Sequence, residues 1–148
     1  MLARTFLSAE QLGIPEEWKD ALHLVLEAMD RGEFEHHSML SWSSEALTLA
    51  AFQRDTLEQN HSGLFNLSVW RGTTPCGTVV CMGGAAEILG KVSFHNRKFL
   101  WTRRLSDLFL PEGIFHQDYE KVTVKQARTA LYSYLSTGNA NWEAAVYG

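Results

Sequence analysis

The two cysteine thiols are the candidate nucleophiles of this chain. Cys76 and Cys81 lie in segment 74–90, in which Glu87 is the only charged side chain. If Thr78 caps a helix there, Cys81 falls at the third helical position, where backbone N–H groups stabilise a thiolate. Such a thiol could serve as a nucleophile or a redox sensor, but the sequence shows no neighbouring base. We therefore favour the alternative, in which Cys81 is a small buried apolar side chain.

Histidines are the candidate partners of these thiols. A catalytic base for Cys81 would be His36, His37 or His95, and a zinc site would combine Cys76 and Cys81 with His36 and His37. Zinc usually takes four ligands from closely spaced pairs, and C-x4-C with two adjacent histidines is a loose match. The sequence thus favours a protein without a metal or a cofactor. A disulfide between the two cysteines is geometrically possible and would be transient in a reducing compartment.

A basic and aromatic strip is the candidate interaction surface. Arg97, Trp101 and Arg104 share one face of a helix predicted over 97–110, and such a strip can stack nucleic-acid bases. The formal net charge is −4. Up to residue 74 there are 5 basic and 11 acidic side chains, and beyond it 8 and 6. This balance disfavours general nucleic-acid binding, and the plainer interpretation puts Trp101 in the core with the arginines at its rim.

Hydrophobic periodicity predicts one helical domain spanning 1–148. The chain has 148 residues, 45% of them hydrophobic, which suits a single compact core. We predict an all-α fold of about five helices around a buried central helix at about 79–89, since that segment is apolar all round. Gly83 and Gly84 would let another element approach this helix closely. Four further helices are predicted, from Pro15 to Gly32, over 44–59, over 97–110 and from Thr123 to Gly138, the last closed by Trp142 as a lid.

Capping boxes mark two helix starts. In this motif a Ser or Thr side chain binds the backbone three residues on, and a Gln or Glu there reaches back. The pairs are Ser8 with Gln11 and Thr123 with Gln126.

Targeting signals are not evident. The N-terminal segment lacks a long apolar core followed by a small-residue cleavage site. The longest mostly apolar run, Val79–Leu89, is about half the length that a membrane crossing needs. We expect a cytoplasmic protein that binds no membrane.

The second half of the chain resembles a known pattern. FNLSVW at 65–70, followed by CGTVVCMGG at 76–84, is similar to F-[ND]-[ML]-x-x-W and C-G-T-x-x-C-x-x-G in a family of small uncharacterised bacterial and phage-encoded proteins. The segment 108–111 looks like the family's L-F-x-P, and 137–142 looks like T-G-x-x-x-W. The resemblance implies a shared fold and a phage or mobile-element context, and it leaves the activity open. Ala85 departs from the pattern, because an aromatic residue often stands there.

No motif combines a nucleophile, a base and an orienting group. We therefore expect a non-enzymatic helical module that binds another macromolecule, through a protein partner or self-association. Two alternatives stay open: a cysteine-centred enzyme or redox sensor using Cys81, and a metal-stabilised module using Cys76 and Cys81.

Overall fold

Helices dominate the part of the chain that the structure, a computed structural model, describes. The described residues are 6–36, 64–65, 71–74, 77–94, 102–111 and 114–148. In them the α-helices are α1 (Ala9–Leu12), α2 (Glu16–Asp30), α3 (Met82–Gly90), α4 (Arg103–Phe109), α5 (Val124–Thr137) and α6 (Trp142–Tyr147), with a 3-10 helix at His116–Lys121. The short strands are β1 (Glu35–His36), β2 (Leu64–Phe65), β3 (Arg71–Thr74) and β4 (Gly77–Val80). The mostly helical class is confirmed, and the helix predicted over 44–59 lies outside the described residues.

Local sequence signals set the ends of the first and last long helices. Both predicted capping boxes are present, at Ser8 and at Thr123. Gly32 and Gly138 follow α2 and α5 with φ of +72° and +83°, in the left-handed region that glycine enters without strain. Pro15 is the N-cap of α2 and not its first helical residue as predicted, because α2 begins one residue later.

A small four-stranded sheet, which the periodicity did not predict, lies beside the helices in the order β1-β2-β4-β3. The first three of these strands run parallel to one another, and β3 is antiparallel to β4. Strands of two to four residues are too short to show an alternating pattern. β4 still carries a signal, because Thr78, Val79 and Val80 are β-branched residues that favour strands.

The predicted central helix is wrong at its N-terminal end. Val79 and Val80 belong to β4, so Thr78 is a strand residue and not a helix cap. Cys81 is the N-cap, and α3 begins at Met82. From Met82 to Glu87 every residue of α3 is buried, which agrees with the prediction of a water-excluded helix for this part of the segment.

Close packing of α3 against α2 depends on Gly90, the last residue of α3. A Cβ added to Gly90 would lie 2.9 Å from the Cα of Ala21 and would also overlap its Cβ. Real Cβ atoms do not approach a backbone atom so closely, so the two helices touch here only because Gly90 has no side chain. This close approach is at Gly90, and the prediction for Gly83 and Gly84 stays a prediction.

The C-terminal helices close the core from the other side. α4 begins at Arg103, after Thr102, whose hydroxyl accepts the Leu105 N–H at 3.0 Å. Of the helix predicted over 97–110, the part from Arg103 to Phe109 is confirmed, and 97–101 lie outside the described residues. Trp142 is buried at the start of α6, and its indole Nε1 donates to the Leu108 carbonyl at 3.2 Å. This confirms the predicted lid.

No helix in the described ranges has both the length and the apolar character to reach across a bilayer.

Candidate functional site

Cys81 lies where a strand passes directly into a helix. It follows Val80 at the carboxyl end of β4 and caps α3, so it is not at the third helical position that was predicted. Its side chain is a free thiol. Nucleophilic cysteines often occupy helix N-termini, because the backbone N–H groups there favour the thiolate.

Burial cancels this advantage. Cys81 is only 3% exposed. Desolvation raises the pKa of its thiol to about 11, and the opposing backbone groups of Gly84 and Gly83 do not offset it. The negative charge of Glu87 raises the pKa further. The thiol is therefore protonated near neutral pH and has little access to solvent.

The register of the sheet decides how near His36 lies to Cys81. His36 pairs with Phe65, and Phe65 pairs with Val80, so all three end parallel strands at the same level. Two strand spacings put the Cα of His36 about 10 Å from that of Val80. Phe65, which is fully buried, lies on the intervening strand. His36 and Cys81 therefore lie at the same end of the sheet, but this position does not by itself make His36 a catalytic base for the thiol.

The other predicted site residues of this region are not part of the described chain. Cys76, His37 and His95 lie outside it. Among the described residues no three His, Cys, Asp or Glu side chains come together as a metal site would require.

Glu87 has a structural partner. Its carboxylate is buried in α3 and accepts the backbone N–H of Phe94 at 3.0 Å. Since Phe94 packs on Trp18 of α2 and on Phe109 of α4, with ring centroids 5.0 and 4.9 Å apart, this bond fixes a central aromatic cluster. Glu87 thus holds the turn after α3 against the core.

Arg104 is the member of the predicted interaction strip that the structure describes. Arg97 and Trp101 lie outside the described residues. Arg104 is exposed, and its Nη1 would lie 2.8 Å from a Cβ added to Gly138, at the carboxyl end of α5. A guanidinium there interacts favourably with the helix dipole. This position gives Arg104 a role in the fold.

The structure also shows an exposed aromatic pair that the sequence reasoning missed. Phe115 is 68% exposed and Tyr147 is 47% exposed, and their ring centroids are 6.1 Å apart. We call these two residues the aromatic surface. Phe115 follows α4 in a stretch for which the sequence predicts no helix or strand. An aromatic residue at a position without helical or strand periodicity was the signal available.

Hydrogen bonds hold the aromatic surface in place. The Tyr147 hydroxyl accepts the backbone N–H of Phe115 at 3.0 Å and donates to the Asp118 carboxylate at 2.5 Å. The bond to Asp118 raises the pKa of Tyr147. Nearby, the Tyr119 hydroxyl donates to the Pro111 carbonyl. These contacts join the 3-10 helix and its flanking residues to α6, which Trp142 anchors in the core.

A shallow groove of about 250 Å³ adjoins the aromatic surface along α6. Its lining is formed by Asn141, Glu143, Ala144, Tyr147 and Gly148. The groove is smaller than the roughly 300–1,000 Å³ of pockets that hold small-molecule ligands. Its size suits one side chain of a larger partner.

Comparison with protein-family models, with curated proteins and with solved structures finds no match for this chain.

Proposed function

We propose that this chain is a non-enzymatic protein-binding module whose contact surface is centred on Phe115 and Tyr147. The observation that carries the proposal is the exposure of Phe115 on a backbone that Tyr147 holds in place. Aromatic side chains dominate binding energy at protein interfaces because they bury a large area at a low cost in conformational entropy.

The energy available from this surface is substantial. A phenylalanine side chain that is two-thirds exposed has roughly 100–150 Å² left to bury, which corresponds to a transfer free energy of about 3 kcal/mol before the costs of association are subtracted. The hydrogen bonds of the Tyr147 hydroxyl, which accepts the Phe115 N–H and donates to Asp118, reduce the ordering cost of binding.

The state of Cys81 supports a function without covalent catalysis. The thiol is the best nucleophile candidate in the sequence, and it is enclosed and protonated. A protein partner or self-association both fit the proposal, and the similarity to phage-encoded proteins stays a prediction.

The test compares two exposed apolar side chains on different faces. Tagged wild type, Phe115→Ser and Leu24→Ser are used for affinity capture from the native host, followed by quantitative mass spectrometry. Leu24 is a matched control because it is 40% exposed on α2. We expect specific partners to fall at least about tenfold with Phe115→Ser and to persist with Leu24→Ser. Equal recovery by all three proteins would contradict the proposal, and sedimentation velocity shows whether the partner is a second copy.

A cysteine-centred activity is the second candidate function. The observation in its favour is the position of Cys81 between β4 and α3. Iodoacetamide labelling of a Cys76→Ser variant near neutral pH separates the two candidates. We expect labelling of Cys81 only on the timescale of unfolding. Rapid labelling of the folded protein would favour the second candidate. The metal-stabilised alternative is tested by measuring the metal content of protein purified without chelator. A content below about one metal ion per several chains would contradict it.

A further inference from the structure

We propose that the partner of the aromatic surface is a short protein segment in which an apolar side chain stands next to a lysine or arginine. This inference rests on the proposed function and adds the chemistry of the partner.

Two acidic side chains lie beside the aromatic surface. Glu143 stands one helical turn before Tyr147 on α6, and both line the groove. Asp118 accepts the Tyr147 hydroxyl through one oxygen. A carboxylate accepts about four hydrogen bonds, so Asp118 keeps acceptor capacity for a partner's cation.

The local sequence is acidic as well. Between Pro111 and Val122 there are three acidic residues, Glu112, Asp118 and Glu120, and one basic residue, Lys121. A partner with a positive charge beside its apolar side chain would therefore be attracted, and an acidic partner would be repelled.

The same charges argue against a second copy of this chain. In a two-fold dimer the same patch of both copies meets, which would bring Glu143 and Asp118 of one copy toward those of the other. A stable dimer also buries about 800 Å² on each partner, which is several times what two partly exposed rings supply. A short segment seated on Phe115 and in the groove meets neither difficulty.

The experiment selects peptides without assuming a partner. The biotinylated full chain is used to select from a phage-displayed dodecapeptide library, and enriched peptides are synthesised and titrated by fluorescence anisotropy. The variants are Phe115→Ser and Glu143→Gln, with Leu24→Ser and Asp20→Asn as matched controls. Leu24 and Asp20 are exposed on α2, and melting temperatures establish that each variant is folded.

We expect enriched peptides to share an apolar residue with Lys or Arg within two positions. Their affinity should fall at least about tenfold with Phe115→Ser and about two- to fivefold with Glu143→Gln, with no change in the controls. Added salt should weaken binding to wild type more than to Glu143→Gln.

Two other outcomes are decisive. Peptides that depend on Phe115 but lack basic residues and ignore Glu143→Gln would overturn this inference and leave the proposed function standing. Peptides that bind Phe115→Ser as well as wild type, or a selection that yields none, would overturn both.

Discussion

The junction at Cys81 and the aromatic surface at Phe115 and Tyr147 differ in a way that composition does not reveal. The junction holds the most reactive residue type in the described chain, but it is 3% exposed and its thiol has a pKa raised to about 11. The aromatic surface has little intrinsic reactivity, but it faces solvent on a fixed backbone. Solvent access, and not residue type, is what distinguishes the two regions.

The largest effect is expected from removing the anchor of the aromatic surface. Trp142→Ala deletes a buried indole and its bond to the Leu108 carbonyl, so it should cost about 3–5 kcal/mol in free energy of unfolding. Urea denaturation measures this loss. Trp142→Phe is the control and should lose less. A cost below about 1 kcal/mol would show that α6 is not held by this side chain.

The pH dependence of stability tests the burial of the Cys81 thiol. Because the pKa of Cys81 is raised by burial, the unfolded chain loses this proton first. The stability from the protonated thiol is complete below pH 9 and is lost as the pH rises toward 11. The difference between an ordinary value of 9.0 and about 11 corresponds to about 3 kcal/mol.

Denaturation of wild type and Cys81→Ala across this pH range measures that contribution. As the pH rises from 9 toward 11, wild type should lose about 3 kcal/mol in free energy of unfolding relative to Cys81→Ala. Parallel stability curves would mean that the thiol is not buried.

Opening the contact between α2 and α3 is expected to weaken the enclosure of Cys81. Gly90→Ala forces a methyl group into the backbone of Ala21, and overpacking of this kind costs about 1–3 kcal/mol. Thermal unfolding gives the cost, and thiol labelling in a Cys76→Ser background should become faster. Gly32→Ala is the comparison, because an added Cβ there meets nothing within 4 Å and its cost comes from the positive φ of +72° alone. An unchanged melting temperature for Gly90→Ala would contradict the close contact.

The hydroxyls of Tyr134 and Tyr147 show the same contrast between a buried and an exposed position. Tyr134 is fully buried in α5, and within the described part of the chain its hydroxyl finds no hydrogen-bond partner. Burial raises the pKa of Tyr134. Because an unpaired buried hydroxyl costs about 1 kcal/mol or more, Tyr134→Phe should stabilise the fold by about that amount. Differential scanning calorimetry checks the sign, and a lower melting temperature would indicate that the hydroxyl is satisfied.

Tyr147→Phe should act in the opposite direction and by less. The change keeps the ring but removes the bonds to Phe115 and Asp118, so the melting temperature should fall slightly. Peptides selected on wild type should bind this variant about two- to threefold more weakly, because the surface is less ordered before binding. An anisotropy titration measures the change. Unaltered affinity would mean that these bonds do not preorganise the surface.

The thiol-bearing segment shows where pattern reasoning succeeds and where it stops. Its apolar character correctly indicated burial, because Met82 to Glu87 are enclosed. It did not separate the strand at Val79 and Val80 from the helix that follows, although both residues are β-branched, since their partners, β2 and β3, are other segments of the chain. A strand is stabilised by hydrogen bonds to another segment, so a short one leaves little trace in its own sequence.

From the sequence alone follow the helical class, both capping boxes, the glycines that end α2 and α5, and the burial of Trp142, because each depends on contacts within a turn or on one apolar face. The burial of Cys81 was also favoured by the sequence, but only the tertiary structure decided that this residue lies at a strand–helix junction and that Phe115 is exposed. The hydroxyl that holds Phe115 belongs to a residue 32 positions later, and the helix contact beside Gly90 is made by Ala21 far earlier. Such contacts exist only once distant segments have packed together.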